Sequence, residues 1–315
     1  MSGEKIGNNS VLIEDDIQSS MIKQTLESEL MATQWVDWLN EFDKGSSNFR
    51  IPSIGKAQVE DYAGDGEALK FRPLDKGEFV MNIDQFKQSG NFITKDAQED
   101  LHYASQLVAS IAPSQTRAIA EELETNIMKL QGEQTTGATN LINGGKHRYA
   151  ATGASNTIGV EDFARANLSF NLANVSANNR IAIVHPSVAY TLETLTNLTN
   201  VSNNPHFEGV VAEGMTSGMR FVKNVYGFDV YVSNFVDIIE AETLETVNCA
   251  GFAANMFIGA NGEEGPFKGA WARMPVFKSW EDHDREITKY STTSRYGTKL
   301  YRDESLIVVP SNIAV

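Results

Sequence analysis

LKFRPLDKGEFVMNIDQFK, Leu69 to Lys87, is the stretch on which the fold turns. Leu69 and Phe71 alternate with Lys70 and Arg72. After Pro73-Leu74-Asp75-Lys76-Gly77, Phe79, Met81 and Ile83 alternate with Val80, Asn82 and Asp84. Period-two alternation on both sides of a Pro/Asp/Gly turn predicts strand, turn, strand. Upstream, FRIPSIGKAQVEDYAGDGEA (49–68) is another extended run with its own Gly-Asp-Gly break. The span from Phe49 to Thr94 therefore reads as long ribbons with few residues to build a core. A two-stranded ribbon is marginal in water by itself, so this one needs a surface to lie against.

Working outward, Ile17, Met21, Leu26, Leu30, Trp35, Trp38, Leu39 and Phe42 recur at helical spacing, which predicts an amphipathic arm ending at Lys44-Gly45. Beyond the ribbon, Thr94 to Gln131 reads as helix, and from Lys95 to Leu130 it would span about 54 Å at about 1.5 Å per residue. Asp96 and Glu99 are spaced as a capping box, and Pro113 should kink or split the helix. The Gly/Thr/Ala/Asn-rich segment 132–159 is a boundary with an Asn143-Gly144-Gly145 turn. A helix is expected over Val160 to Leu172, a strand at Ile181 to Val184 running into a helix at Pro186, and a hairpin around Gly227. SLIVVP at Ser305 to Pro310 is a continuous apolar run of the kind found in central strands. Helices and strands mixed without a regular βαβ beat make the class α+β.

Composition excludes several function classes. With 41 acidic and 26 basic residues, net charge −15, and no basic run, the chain is a poor direct reader of nucleic acid. No window is apolar enough for a membrane span, and the first twenty residues lack a signal-peptide pattern. The single Cys249 forbids an intrachain disulfide and fits a reducing compartment; beside Ala250, Gly251 and Phe252 it reads as a packed, inert thiol. No phosphate loop, nucleophile elbow, zinc motif or paired C-x-x-C is present, so no catalytic residue, cofactor or resident metal is expected. The best metal-like cluster is Glu281-Asp282-His283-Asp284-Arg285-Glu286. On a strand, Asp282, Asp284 and Glu286 would share one side and Glu281, His283 and Arg285 the other. A solvated face, or an ion-pair partner for another copy, explains that cluster better than catalysis.

The order of parts resembles one family. RIPSIGKAQVEDYAGDG, then VMNIDQFKQSGNFITKDAQEDLHYASQLVASIAPSQTRAIAEELETNIMKL, is similar to the extended loop and spine helix of the major capsid proteins of tailed bacteriophages, in their podovirus-like branch. Ala118-Ile119-Ala120 followed by Glu121, Glu122 and Glu124 matches the small-residue run and acid of that helix. IAIVHPSVAYTLETL, YGFDVYVSN and RYGTKLYRDESLIVV resemble later segments of the same fold, named after phage HK97.

The resemblance implies an N-terminal arm (1–48), an E-loop (49–94), a peripheral domain with the spine helix (95–157) and its return (274–303), and an axial domain (158–273) completed by 304–315. It implies a structural, non-enzymatic shell subunit. That subunit would self-assemble as hexamers and pentamers around double-stranded DNA, which it would touch loosely. Scaffolding and portal proteins would be partners, with a cement protein in decorated shells. Assembly would occur in the host cytoplasm and the product would be the virion.

In this family the E-loop lies across an adjacent subunit, which supplies the missing surface. Arg50, Lys70 and Arg72 are then expected to meet carboxylates on another copy, with Asp282, Asp284 and Glu286 as candidates. Phe71, Phe79, Trp35 and Trp38 would be buried in the same contacts. Some members cross-link a loop lysine to an asparagine, but 274–303 contains no asparagine, so no such bond is expected. An encapsulin-type compartment shell is the alternative with the same fold, disfavoured by the long arm. A metal enzyme using 281–286 and a tail or decoration protein are more distant rivals.

Overall fold

A computed structural model describes residues 30–39, 48–54, 59, 76–100, 104–134, 140–194, 221–259 and 264–313. The strands and helices run β1 (Val36–Leu39), β2 (Asn48–Ile54), β3 (Lys76–Asn82), β4 (Gln85–Thr94), α1 (Lys95–Asp100), α2 (Ala104–Lys129), β5 (Leu141–Ile142), β6 (Gly145–Lys146), α3 (Val160–Leu172), β7 (Arg180–Val184) and α4 (Pro186–Thr194). They continue β8 (Phe221–Val225), β9 (Phe228–Val232), β10 (Thr243–Leu244), β11 (Val247–Asn248), β12 (Ala253–Ile258), β13 (Phe267–Asp282), β14 (Ile287–Leu300) and β15 (Leu306–Ser311).

Two sheets organise these elements. The first, in order β15-β12-β7-β9-β8, is mixed, with β7 and β9 parallel. Both of its faces are buried, which is why β7, β12 and β15 read as unbroken apolar runs. Phe163 and Phe170 of α3 and Val188 and Leu192 of α4 pack on one face, against Val230, Phe257 and Ile307. The Phe163–Phe257 and Phe228–Phe257 rings meet edge to face at 5.1 and 5.3 Å. On the other face lie Leu123, Ile127 and Met128 of α2, with Met31, Ala32, Trp35 and Val36. The buried Asn255 is fully satisfied: its amide donates to Ala253 O, Val309 O and Ser311 Oγ, and its oxygen accepts from His185 N.

The second sheet, β1-β13-β14-β4, is built on the long β13–β14 hairpin. Helix α2 crosses one of its faces. Gln115 donates to Tyr290 O and accepts from Thr292 Oγ1, Asn126 donates to the Tyr296 hydroxyl, and Lys87 pairs with Glu122 at 2.6 Å. One helix thus braces both sheets.

Several expectations change. Within the arm predicted as helix, residues 32–35 form a 3-10 turn and 36–39 form β1, which pairs in parallel with β13 from Val36↔Phe267 to Leu39↔Ala270. Residues 17–29 and 40–45 of that arm, and Leu69 to Asp75, lie outside the described residues. The partner of β3 is β2, in register from Asn48↔Asn82 to Ile54↔Lys76, while β4 joins the sheet instead of the ribbon. The cap of α1 is Thr94, whose hydroxyl accepts from Ala97 N at 3.3 Å, so Asp96 is a first-turn residue.

Pro113 does not split α2. It removes the bond to Ala109 O, but both residues are exposed, so water can take the freed carbonyl. The apolar β15 is not central but stands at the edge of its sheet. It is buried because residues 147–151 run along it, through Val308 N to His147 O at 2.9 Å and Ala151 N to Pro310 O at 2.9 Å. Finally, 283–286 is the turn of the β13–β14 hairpin, with Glu286 at φ 51, so the strand alternation expected for 281–286 stops at Asp282.

Candidate assembly surface

The face of the second sheet opposite α2 carries the features that a subunit interface needs. Register places its side chains in rows across β4, β14 and β13: Phe86–Arg295–Arg273, Gln88–Thr293–Val276, Gly90–Ser291–Lys278, Phe92–Lys289–Trp280 and Thr94–Ile287–Asp282. A register shift between Arg273 and Val276 inserts one extra β13 residue. That bulge brings Arg273 and Lys278, five positions apart, onto the same side. The Arg273 guanidinium stacks over Phe86 at 5.3 Å. Phe86, Phe92 and Trp280 are 60%, 66% and 48% exposed. Scattered exposed apolar residues are ordinary, but these share one flat face.

The ribbon β2–β3 starts from the same face at its lower end. Met81 and Ile83 pack on Ala270, and a Cβ on Gly297 would stand 2.4 Å from Asn82 O. Further along, Lys299 donates to Val80 O at 2.9 Å and Tyr301 meets Phe79 edge-on at 4.9 Å. Passing from Asn82 back to Phe79, the ribbon therefore follows β14 from Gly297 toward Tyr301, away from the rows at 287–295. Beyond that foot, Arg50, Pro52, Ser53, Gly77 and Glu78 are exposed.

The residues singled out in the sequence are distributed as follows. Trp35 is buried against Tyr231, and Trp38 stacks on Trp271 at 5.2 Å, so both lie in their own chain's packing. Phe79 is half-buried on Tyr301, with Lys299 over its ring at 5.5 Å. Arg50 pairs with Glu78 across the ribbon at 3.4 Å. Asp282 pairs with Lys289 at 2.6 Å, and that ammonium holds its carboxyl below the usual range. Asp284 and Glu286 are exposed in the hairpin turn. Lys70, Phe71 and Arg72 lie outside the described residues.

Sequence reading missed the aromatic and cationic rows, and it named Glu124 only as one of three acids on the helix, without its role. This α2 carboxylate is fully buried and accepts from Met31 N at 2.9 Å and from Ala32 N at 2.8 and 2.9 Å. It fastens residues 31–32 to the helix. Burial pushes its pKa up even though these donors oppose the shift. Arg148 and Glu242 form a bidentate pair with both contacts at 2.7 Å. Burial raises the pKa of the Cys249 thiol, which suits an unreactive group. Among the described residues no group of three or more His, Cys, Asp or Glu is placed to hold a metal.

This architecture, a long helix bracing a hairpin sheet and a second mixed sheet with a ribbon at its foot, is the HK97-like coat-protein fold. A family model described as phage capsid protein matches residues 85–309, and the chain belongs to that family. It is a structural coat protein of a bacteriophage. Among solved structures it is similar to the capsid of the cyanophage P-SCSP1u (TM-score 0.73, 16% identity, 95% of this chain and 94% of that one). It is also similar to the capsid of Ralstonia phage GP4 (0.69, 10%, 100% and 99%) and to a chain of Mycobacterium phage Che8 (0.68, 15%, 93% and 96%). No sequence among the curated proteins matches.

Proposed function

We propose that this chain is the subunit from which an icosahedral shell is built, as hexamers and pentamers, around packaged double-stranded DNA. The observation that carries the reading is the ribbon: two paired strands, exposed on most positions beyond their foot, in a chain of the phage capsid family. Such a ribbon gains stability only by lying on something else. In the proposal, residues 49–94 form the E-loop, 95–157 and 274–303 the peripheral domain, 158–273 and 304–315 the axial domain, and 1–48 the arm. The confinement of the five-stranded sheet to 180–258 and 306–311 supports that division.

Contacts between copies would bring Phe71 and the outer part of Phe79 onto a neighbour, with Lys70 and Arg72 reaching Asp284 and Glu286. Scaffolding and portal proteins would direct closure in the host cytoplasm, and a cement protein would join in decorated shells. The acidic chain would touch DNA loosely.

The test is to express the chain alone and with its scaffolding partner and to image the products by negative-stain electron microscopy. Closed shells, or mixtures of hexamers and pentamers, are expected. A monodisperse monomer under both conditions would overturn the proposal. Shells filled with host protein would favour a cargo compartment.

A further inference from the structure

Among the described histidines His147 is fully buried, whereas His185 is half-buried and His283 exposed. It begins the strip 147–151 that covers the outer edge of β15. Its amide donates to Asn140 O at 3.1 Å, and its carbonyl accepts from Val308 N. Further along, Tyr149 N donates to Val308 O at 3.3 Å and Ala151 N to Pro310 O at 2.9 Å. The His147 ring meets Phe170 of α3 edge-on at 6.3 Å, and its Nδ1 stands 3.1 Å from Gly145 O. A carbonyl only accepts, so Nδ1 carries the proton and Nε2 is a bare lone pair. That Nε2 is buried and has no hydrogen-bond partner among the described residues.

The surroundings decide what a second proton would do. Lys146 pairs with Glu245 and Arg148 with Glu242, so the charges beside His147 in the chain are already matched. From the turn before β15, Asp303 and Glu304 act on the ring through their charges, and Glu304 through its carbonyl as well. Glu133, which accepts from Leu300 N, acts in turn on Asp303. Burial is the largest influence and pushes the imidazole below its ordinary pKa of 6.5, against the carbonyls of Gly145 and Glu304 and the two carboxylates. We propose that His147 is an acid-sensitive latch: a proton taken up at Nε2 drives the ring from its buried seat, lifts residues 147–151 and bares the edge of β15. The open strip binds that proton more readily than the closed one. Closure is therefore at full strength above about pH 6.5 and is lost as pH falls from there toward the lowered value. A freed edge strand is a template for pairing, so acid would uncover a backbone surface that is sealed at neutral pH.

Hydrogen–deuterium exchange on the full chain, read at the amides of Tyr149, Ala151 and Val308, tests this against His147→Asn. The Asn side chain retains an amide donor for Gly145 O but does not titrate. Between about pH 7.5 and about pH 5.5, protection corrected for intrinsic exchange should fall about tenfold in wild type, as an open-state pKa of about 6.5 requires. In the variant it should stay level. Glu124 and His185 are present in both chains, so their titration cancels, and the amides of β7 report global unfolding. An equal pH slope in the two chains would place the acid effect elsewhere and overturn the proposal. Protection that rises with acid would overturn it too, since Asp303 and Glu304 would then hold the imidazolium inside the closed strip. An equal fall at β7 is a third contrary result, because the strip would then open only with the whole chain. Should the Asn variant fold poorly, His147→Gln, equally uncharged, must show the same level profile.

Discussion

Glu124 shows how much one side chain can hold. Its carboxylate is the only described acceptor for the amides of Met31 and Ala32, and those residues begin the strip that seals one face of the five-stranded sheet. Replacing it with Ala strands buried donors, which costs roughly 2–4 kcal/mol, and should expose Trp35 to quenchers; denaturant titration followed by tryptophan fluorescence checks both. The pH dependence has a definite sign. A carboxyl whose pKa is raised on folding binds its proton more readily in the native state. Stability should therefore rise as pH falls through the window between the raised value and the ordinary 4.5. Gln at 124 has no proton to take up, so wild type should gain on Glu124→Gln across that window. A stability difference that is flat or falls with decreasing pH would contradict the assignment. None of this was legible in the sequence, because α2 holds Glu121, Glu122 and Glu124 together and only burial separates them.

At the level of elements, two local signals were read correctly, while the cap of α1 and the turn at 283–286 were not. Helix α3 was bounded at Val160 and Leu172 as found, and the Tyr226-Gly227 turn, with both residues at positive φ, closes β8 onto β9 as expected. Errors arose where a distant strand decides. Trp35, Trp38 and Leu39 fit a helical period, yet residues 36–39 pair with 267–270, and no local pattern announces a partner so far along the chain. The cationic rows were hidden for a related reason: simple alternation puts Arg273 and Lys278 on opposite faces, and only the bulge between them reverses that. Two substitutions test elements directly. Gly297→Ala drives a Cβ into Asn82 O at 2.4 Å and should loosen the ribbon's foot, lowering stability by about 1–3 kcal/mol in urea titrations. Pro113→Ala restores a helical hydrogen bond at an exposed site and should raise it by about 1–3 kcal/mol.

On the scale of the whole molecule, the fold class and the ribbon were readable because composition, period and order of parts agreed. The ribbon's true pairing was not, since its second strand had two plausible neighbours and the choice lies in register. Because the foot is packed on Ala270 while Arg50, Pro52, Ser53, Gly77 and Glu78 are exposed, the two ends of the ribbon can be tested separately. Replacing residues 55–75 by Asn-Gly would close β2 and β3 at the Ile54↔Lys76 pair as a tight hairpin. The thermal midpoint should then stay within a few degrees of wild type while shells disappear from micrographs. A subunit that unfolds instead would place the segment in the subunit's own core.

The burial of β15 also sets a timetable. Leu306 and Val308 enter one apolar cluster and Ile307 and Val309 the other, so neither cluster closes before residues 306–311 have left the ribosome. A nascent chain lacking them has an open sheet edge at β12 and an incomplete interior, and cannot yet offer a finished surface to another copy. Translation itself thereby delays association until residues 306–311 have emerged and both clusters can close, a useful safeguard where many identical chains are made side by side.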